Sequence, residues 1–128
     1  MKRNKFGHIY YTLPGGGMNM GETSEHALVR ELAEETGLQL GNAQLVFIEN
    51  AGEPYGTQYI YLVDYAAGEP TLSPASNEAS ISAMGQNLYQ PMWLSVAKLE
   101  DVPFISDKLR QAVLHALQTN FPAQPLTI

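Results

Sequence analysis

The sequence predicts a mixed α/β fold in which helices lie on both sides of a β-sheet. Short runs rich in β-branched and aromatic residues, typical of strands, alternate with two longer segments whose leucines recur at helical spacing. The chain has 128 residues, 45% of them hydrophobic, and contains no cysteine. This length suits a domain that buries an apolar core without disulfides, so we expect a single domain over residues 1–128.

The first predicted strand and the first predicted helix are separated by a glycine-rich turn. Residues 8–13 are mostly β-branched or aromatic, and a Pro-Gly-Gly-Gly run ends this strand. The next segment, residues 23–36, has the composition and leucine spacing of a helix. Thr23 or Ser24 can cap its N-terminus, and Gly37 can end it in a left-handed conformation.

The second half of the chain predicts a hairpin and a final helix. Residues 44–49 and 57–65 are strand-like, and the turn-rich segment 52–56 joins them. Both faces of the second strand are apolar, which predicts that it is covered on each side. The remaining chain predicts a long loop, a short strand, a helix and a flexible tail, over residues 66–86, 90–94, 106–118 and 120–128.

Charge and hydropathy exclude several functional classes. The net charge of −6 argues against a protein that binds a nucleic-acid polymer through a basic groove. The apolar runs are strand-sized and fall short of the ~20 residues that span a bilayer, so we expect no membrane association. The basic residues at the start are not followed by an apolar segment, which argues against a secretory signal and predicts a cytoplasmic protein.

The negative charge is concentrated in one helix. Residues 21–37 contain five glutamates and one arginine, and so carry four of the six net negative charges. Glu31, Glu34 and Glu35 share one helical face, where like charges repel by about 0.2–0.5 kcal/mol per pair. A divalent cation would relieve this repulsion, because clustered carboxylates suit hard ions. The alternative is a solvated helix face that binds nothing.

Residues 16–38 resemble the Nudix box at every defining position. Gly16 is followed after five residues by Glu22, and after seven more by Arg-Glu-Leu-Ala-Glu-Glu-Thr-Gly-Leu, residues 30–38. The Leu-Pro-Gly-Gly-Gly run that leads into this stretch is also similar to the family pattern. The resemblance implies a Nudix-type α/β/α sandwich with a mixed β-sheet. It also implies hydrolysis of a pyrophosphate bond in a nucleoside diphosphate linked to another moiety, a small-molecule substrate.

The resemblance further implies which residues act. Four metal ligands carried over by position are the backbone carbonyl of Gly15 and the carboxylates of Glu31, Glu34 and Glu35. The metal would be Mg²⁺ or Mn²⁺, which neutralises phosphate oxygens and lowers the pKa of a bound water. Arg30 would orient the glutamates, and Glu22 would pair with Arg30 or act through water. The general base is either a glutamate of the box or an acid from a distant loop.

Candidates outside the box are less sharply defined. Glu78 is the loop acid that we expect to join the catalytic residues, and Glu53 in the hairpin loop is a weaker candidate. Aromatic side chains could hold the nucleobase, and the substrate-binding candidates are Tyr10, Tyr55 and Tyr89, with Tyr59 as a further possibility. Aromatic residues in strands more often pack in the core, so this alternative stays open.

The start of the chain suggests an association between copies. Members of the family usually have a further strand and turn before the Pro-Gly-Gly run, whereas only 13 residues precede Pro14 here. We therefore expect the N-terminal strand to be missing or incomplete and an edge to be exposed, which favours a homodimer through the N-terminal strand. The alternative to an enzyme is a Nudix-fold module that binds or senses a nucleotide without cleaving it.

Overall fold

The strands of the chain form two three-stranded sheets, where the sequence predicts one. In the computed structural model, which describes residues 1–128, the first sheet is antiparallel. Its central strand is β1 (Lys2–Lys5), which pairs with β2 (His8–Tyr11) on one side and β5 (Asn87–Gln90) on the other. Both edges of β1 are therefore paired, and β2 and β5 are the outer strands of this sheet. The outer edge of β2 is itself bridged at Tyr11 by residues 103–105, and Ser82 accepts a hydrogen bond from the N–H of Tyr89 in β5.

The second sheet is mixed and contains the longest strands. β3 (Gln39–Asn50) pairs antiparallel with β4 (Thr57–Ala67), and the register shifts three times along this long ladder. On its other side β3 pairs parallel with β6 (Leu126–Thr127). Together with three α-helices, the two sheets confirm the predicted mixed α/β class.

The helices begin and end where side chains satisfy their free backbone groups. α1 (Ser24–Glu35) starts at Thr23, whose hydroxyl accepts a hydrogen bond from the backbone N–H of His26 at 3.2 Å. It ends just before Gly37, which has a φ of +63°, a conformation that glycine adopts without strain. α3 (Asp107–Gln118) is capped in the same way by Ser106. These bounds confirm the two predicted helices to within a residue or two.

Two segments differ from the sequence prediction because distant parts of the chain pair with them. The predicted long loop 66–86 contains a short helix, α2 (Asn77–Ala83). The strand predicted at 90–94 lies instead at residues 87–90, where β1 supplies its hydrogen-bonding partner. Residues 120–128, for which the sequence predicts a flexible tail, include β6, and the Phe121 ring lies 6.2 Å from the ring of Phe47.

The apolar core lies between β3, β4 and α3. Its buried members are Val46, Phe47, Ile60, Leu109 and Ala116. The prediction that β4 is covered on both sides is wrong, because Tyr59 and Leu62, on opposite faces, are 42% and 39% exposed. No helix is long and apolar enough to cross a bilayer.

Two leucines of α3 test the position of this core. Leu109→Ala should lower the free energy of unfolding by about 2–5 kcal/mol, since Leu109 is only 3% exposed and its truncation leaves a cavity. Leu117→Ala makes the same chemical change at a side chain that is 44% exposed, and should cost about 1 kcal/mol. Urea unfolding of both variants provides the comparison. Equal losses would contradict this placement of the core.

Candidate active site

The buried face of α1 is formed by acidic residues. Its most buried residues are Ala27, Glu31 and Glu35, which recur every four positions along the helix. Glu31 and Glu35 are only 8% and 4% exposed, whereas Leu28 and Leu32, the leucines whose spacing predicts this helix, are half-buried. Glu34 lies at the rim, with 43% of its side chain exposed. The structure thus contradicts the alternative of a fully solvated acidic face, since two of the three carboxylates point inward.

The glycine-rich loop packs directly on these two carboxylates. The backbone N–H of Gly15 donates a hydrogen bond of 2.7 Å to Glu35 Oε2. Gly16 lies so close to Glu31 that a Cβ atom at this position would be 2.4 Å from Glu31 Oε1. Gly15 has a φ of +142°, which also favours glycine. The loop needs glycine at position 16 because a side chain there would occupy the space of the Glu31 carboxylate, and at position 15 because of the backbone conformation.

Arg30 ties the loop to the helix. Its guanidinium donates to Glu22 through Nε at 2.8 Å and Nη2 at 2.9 Å, a bidentate pair. Nη1 donates to Glu31 Oε1 at 2.7 Å, and Nη2 also reaches the carbonyl oxygen of Gly17 at 2.9 Å. The hydrogen bonds from Arg30 lower the pKa of Glu22 to about 2. This contact places Glu22 and Arg30 together as the sequence predicts, and it neutralises part of the cluster.

Glu35 carries the charge that Arg30 does not neutralise. Burial, together with smaller contributions from the nearby carboxylates of Glu78 and Glu31, raises the pKa of Glu35 to about 7, and the hydrogen bond from Gly15 opposes this shift only in part. Glu78 is therefore close enough to Glu35 to repel it, although 43 positions separate them in the sequence. The N-terminal ammonium of Met1 also acts on Glu35 and lowers its pKa, but less than the other groups raise it. Three acids from two helices thus share a region with little positive charge.

Backbone hydrogen bonds bring Glu78 to this region. The segment after β4 turns back along the end of α1: the N–H of Thr71 donates to the carbonyl of Thr36, and the N–H of Ser73 donates to the carbonyl of Glu34, both at 2.8 Å. The buried Ser76 then caps α2 by accepting a hydrogen bond from Ala79. Glu78 lies in the first turn of α2, where a carboxylate is favourable.

The donor set suits a hard divalent cation, but the side chains are not arranged around one point. No group of three or more His, Asp or Glu side chains converges in the geometry of a metal site. The three box carboxylates are instead bound within the protein. Arg30 binds Glu31 and lies 3.7 Å from Glu34, and the Gly15 amide binds Glu35. The chemistry of the carboxylates and the excess charge at Glu35 fit a cation, and side-chain rotation would be needed to coordinate it.

The predicted aromatic residues are dispersed. Tyr10 and Tyr89 lie in the first sheet on either side of Arg3, whose guanidinium carbon is 5.6 Å and 3.4 Å from their ring centres. Tyr55 is 71% exposed in the loop between β3 and β4, which also holds Glu53. The structure thus brings Glu78 to the box glutamates and does not assemble the three tyrosines into one pocket.

Two charged residues have surroundings that the sequence analysis did not anticipate. Glu49 is 2% exposed in β3; Ser106 donates to its Oε1, and its Oε2 has no hydrogen-bond partner. The guanidinium carbon of Arg3 lies over the Tyr89 ring, at the distance given above. The sequence around Glu49 gives no indication that this residue is buried. The basic residues of β1 and the tyrosines of β2 and β5 could have indicated the surroundings of Arg3.

Comparison with known proteins identifies the family. The family model described as the NUDIX domain matches residues 1–114, so the chain belongs to the Nudix family. An NAD-capped RNA hydrolase of Vibrio atlanticus is 32% identical over 103 residues, which cover 80% of this chain and 34% of that protein. An 8-oxo-dGTP diphosphatase of Haemophilus influenzae is 41% identical over 85 residues, covering 53% of this chain and 61% of that protein.

Among solved structures, a Nudix hydrolase family member from Chromobacterium violaceum is 26% identical and has a TM-score of 0.40, covering 84% of this chain and 74% of that one. The chain spans between 34% and 61% of the length of the two curated relatives described above.

Neighbouring glycines test the contact between loop and helix. Gly16→Ala should force the Glu31 carboxylate to move, since the added methyl group would lie 2.4 Å from Glu31 Oε1. We expect the affinity for Mn²⁺ to fall about tenfold or more, as for other changes that misplace a ligand. Gly17→Ala is the matched control, because no heavy atom lies within 4 Å of the added carbon. Calorimetric titration that gives both variants the same affinity would contradict the role of this contact.

The raised pKa of Glu35 predicts a pH dependence of stability in metal-free protein. Between the ordinary value of 4.5 and the folded value of about 7, the folded state keeps a proton that the unfolded state has released. The free energy of unfolding should therefore decrease as pH rises through this window and level off above it. Glu35→Gln cannot ionise, and its stability should lack this decrease. Urea unfolding in EDTA across the window measures the difference, and parallel pH curves would contradict it.

Proposed function

We propose that the chain hydrolyses a pyrophosphate bond in a nucleoside diphosphate linked to another moiety, with Mg²⁺ or Mn²⁺ as cofactor. The observation that carries the proposal is the packing of the Gly15–Gly16 loop on two inward-pointing, incompletely neutralised glutamates. A structural helix would bury apolar residues on this face, since burying carboxylates without a cation is unfavourable. A bound cation and an anionic substrate would make the arrangement favourable.

The residues that would hold the metal are those of the box, with the loop acid beside them. They are the carbonyl of Gly15 and the carboxylates of Glu31, Glu34, Glu35 and Glu78. When bound, the metal neutralises phosphate oxygens and lowers the pKa of a coordinated water. Arg30 would hold Glu31 in place and release it in part when the cation competes for the same oxygen.

The chain must also accept a proton from the attacking water. A carboxylate within hydrogen-bond reach of that water can do so, and either Glu31 or Glu78 would serve as this general base. The influence of Glu78 on the pKa of Glu35 supports its membership of the catalytic group. Glu53 lies in the exposed loop between β3 and β4 and has no comparable link to the cluster.

An apolar cavity next to the glycine loop could hold the planar part of a substrate. It has a volume of about 250 Å³ and lies between the end of β2, the segment before α3, and α3 itself. Its wall includes Tyr11, Leu13, Pro14, Met92, Leu94 and Phe104. Leu13 and Pro14 lead directly into Gly15, so a base in this cavity would place its phosphates beside the acidic cluster. Tyr10, Tyr55 and Tyr89 are outside this wall and remain candidate contacts for other parts of the substrate.

The alternative function is a module that binds or senses a nucleotide without cleaving it. Release of product by the wild-type protein distinguishes the two. The assay should combine Mg²⁺ with ADP-ribose, nucleotide sugars, dinucleoside polyphosphates, and normal and oxidised nucleoside triphosphates. NAD-capped RNA and 8-oxo-dGTP belong in the same panel, because the relatives are named for them. A small nucleotide is the substrate that we propose; cleavage of the capped RNA alone would contradict it.

A homodimer through the N-terminal strand and a cytoplasmic location also stay predictions. Because β1 is paired on both sides, a contact between copies would have to use the outer edge of β2 or β5, beyond the positions already bound at Tyr11 and Tyr89. Sedimentation that detects only monomer at tens of micromolar protein would contradict the dimer.

Removal of one box charge tests the enzyme directly. Glu31→Gln keeps the volume of the side chain but loses its charge, and should lower kcat by about 100-fold or more, as expected for a metal ligand or general base. Glu25→Gln is the control, because it removes the same charge from an exposed position of α1. Turnover by Glu31→Gln equal to that of the control, with both variants folded by circular dichroism, would overturn the role of Glu31.

A further inference from the structure

The first sheet is a basic region in an acidic protein. Its three strands contain three of the seven lysine and arginine residues, all in β1, and no aspartate or glutamate. The thirteen acidic residues all lie elsewhere in the chain. Positive charge is therefore gathered on one sheet whose own strands carry no carboxylate.

One face of this sheet combines the basic residues with aromatic rings. Strand register places Arg3 between Tyr10 and Tyr89, and Lys5 between His8 and Asn87. Directly paired residues point to the same face, and alternate residues of one strand do so as well. We call this the basic sheet face, and it consists of Arg3, Lys5, His8, Tyr10, Asn87 and Tyr89.

Arg3 is fixed in place but has no acidic partner. Its guanidinium carbon lies 3.4 Å from the centre of the Tyr89 ring, and Nη2 donates to Asn87 Oδ1 at 2.6 Å. Its Nε is buried and has no hydrogen-bond partner. The other two arginines, Arg30 and Arg110, both pair with carboxylates. Arg3 is thus held over the Tyr89 ring and partly buried, with Nη1 uncommitted and no carboxylate paired with its charge.

The buried Nε is out of reach of an anion, but the uncommitted Nη1 is not, and a partly buried guanidinium without an acidic partner is stabilised when an anion joins it there. The planar guanidinium offers donors in a fork that matches two oxygens of a phosphate. Lys5 lies two residues along the same strand, so its Cα is about 7 Å from that of Arg3. At this spacing its flexible side chain can reach a third oxygen of the same group. The side-chain amide of Asn87 accepts from Arg3 through its oxygen, which leaves its NH₂ group free to donate.

We propose that the basic sheet face binds a phosphate group, held by the guanidinium of Arg3 with Lys5 and Asn87 beside it. None of these residues belongs to the acidic cluster or to the wall of the apolar cavity. The site therefore does not depend on hydrolysis. The phosphate is that of a nucleotide or free phosphate, and in the first case the half-buried Tyr10 and Tyr89 would lie beside the rest of the nucleotide.

Binding to metal-free protein in EDTA tests this site, because the acidic cluster then repels anions. Titration of ¹⁵N-labelled protein with inorganic phosphate should give saturable shifts at the Arg3 Nε–H, at the Asn87 side-chain amide and along β1. Arg3→Gln should weaken binding at least tenfold. Arg3→Lys should also weaken it, since an ammonium group lacks the planar fork. Lys108→Gln, which removes one positive charge from the exposed side of α3, should bind like wild type.

A second titration with AMP separates the two sources of the phosphate. Tighter binding of AMP than of inorganic phosphate, at the same residues, assigns the site to a nucleotide, and equal binding assigns it to free phosphate. Equal affinity of Arg3→Gln and Lys108→Gln would overturn the proposal. So would shifts in the wild-type protein that map away from β1 and β5, a result that needs no variant to fold. Loss of hydrolysis in Glu31→Gln would leave phosphate binding unchanged, so the two proposals fail independently.

Discussion

Repulsion between carboxylates on the buried face of α1 is the constraint around which this part of the molecule is organised. Glu31 and Glu35 point inward, and each needs a partner because water cannot solvate it fully. Arg30 supplies the only nearby guanidinium that pairs with the box acids, and it also holds Glu22 and the carbonyl of Gly17. The Arg30 guanidinium thus sets the position of the loop as well as that of the helix.

The Arg30 guanidinium does not neutralise the whole acidic cluster. Burial raises the pKa of Glu35 to about 7; repulsion from Glu78 and Glu31 adds to this shift, and its one hydrogen-bond donor, the Gly15 amide, only partly opposes it. The negative charge of Glu35 must be balanced by a cation from outside, or the carboxyl group must stay protonated. Such a site is poorly suited to stability and well suited to binding a cation, the usual compromise between stability and function. The glycines contribute by bringing backbone, rather than side chain, against the carboxylates.

Basic residues, like the acidic ones, are gathered in one part of the molecule. The acidic residues are concentrated in α1, whereas the first sheet has basic residues and no acids. If basic and acidic residues alternated along these elements, neighbouring pairs would neutralise one another and neither region would keep an unsatisfied charge. Their segregation leaves Glu35 short of positive charge and Arg3 short of negative charge. The proposed metal site and the proposed phosphate site thus draw on surfaces of opposite charge.

The sequence by itself determined the family, the two long helices with their caps, and the acidic cluster of α1. These features depend on local spacing. Thr23 and Gly37 act on adjacent backbone, and the box residues all lie within residues 16–38. Only the tertiary structure decided which faces are buried, that the strands form two sheets, and that α2 and β6 exist. It also decided that Glu78 lies near Glu35 and that Arg3 lies between two tyrosines. Those arrangements depend on strand pairing and backbone contacts between residues far apart in the chain, for which local propensity carries no information.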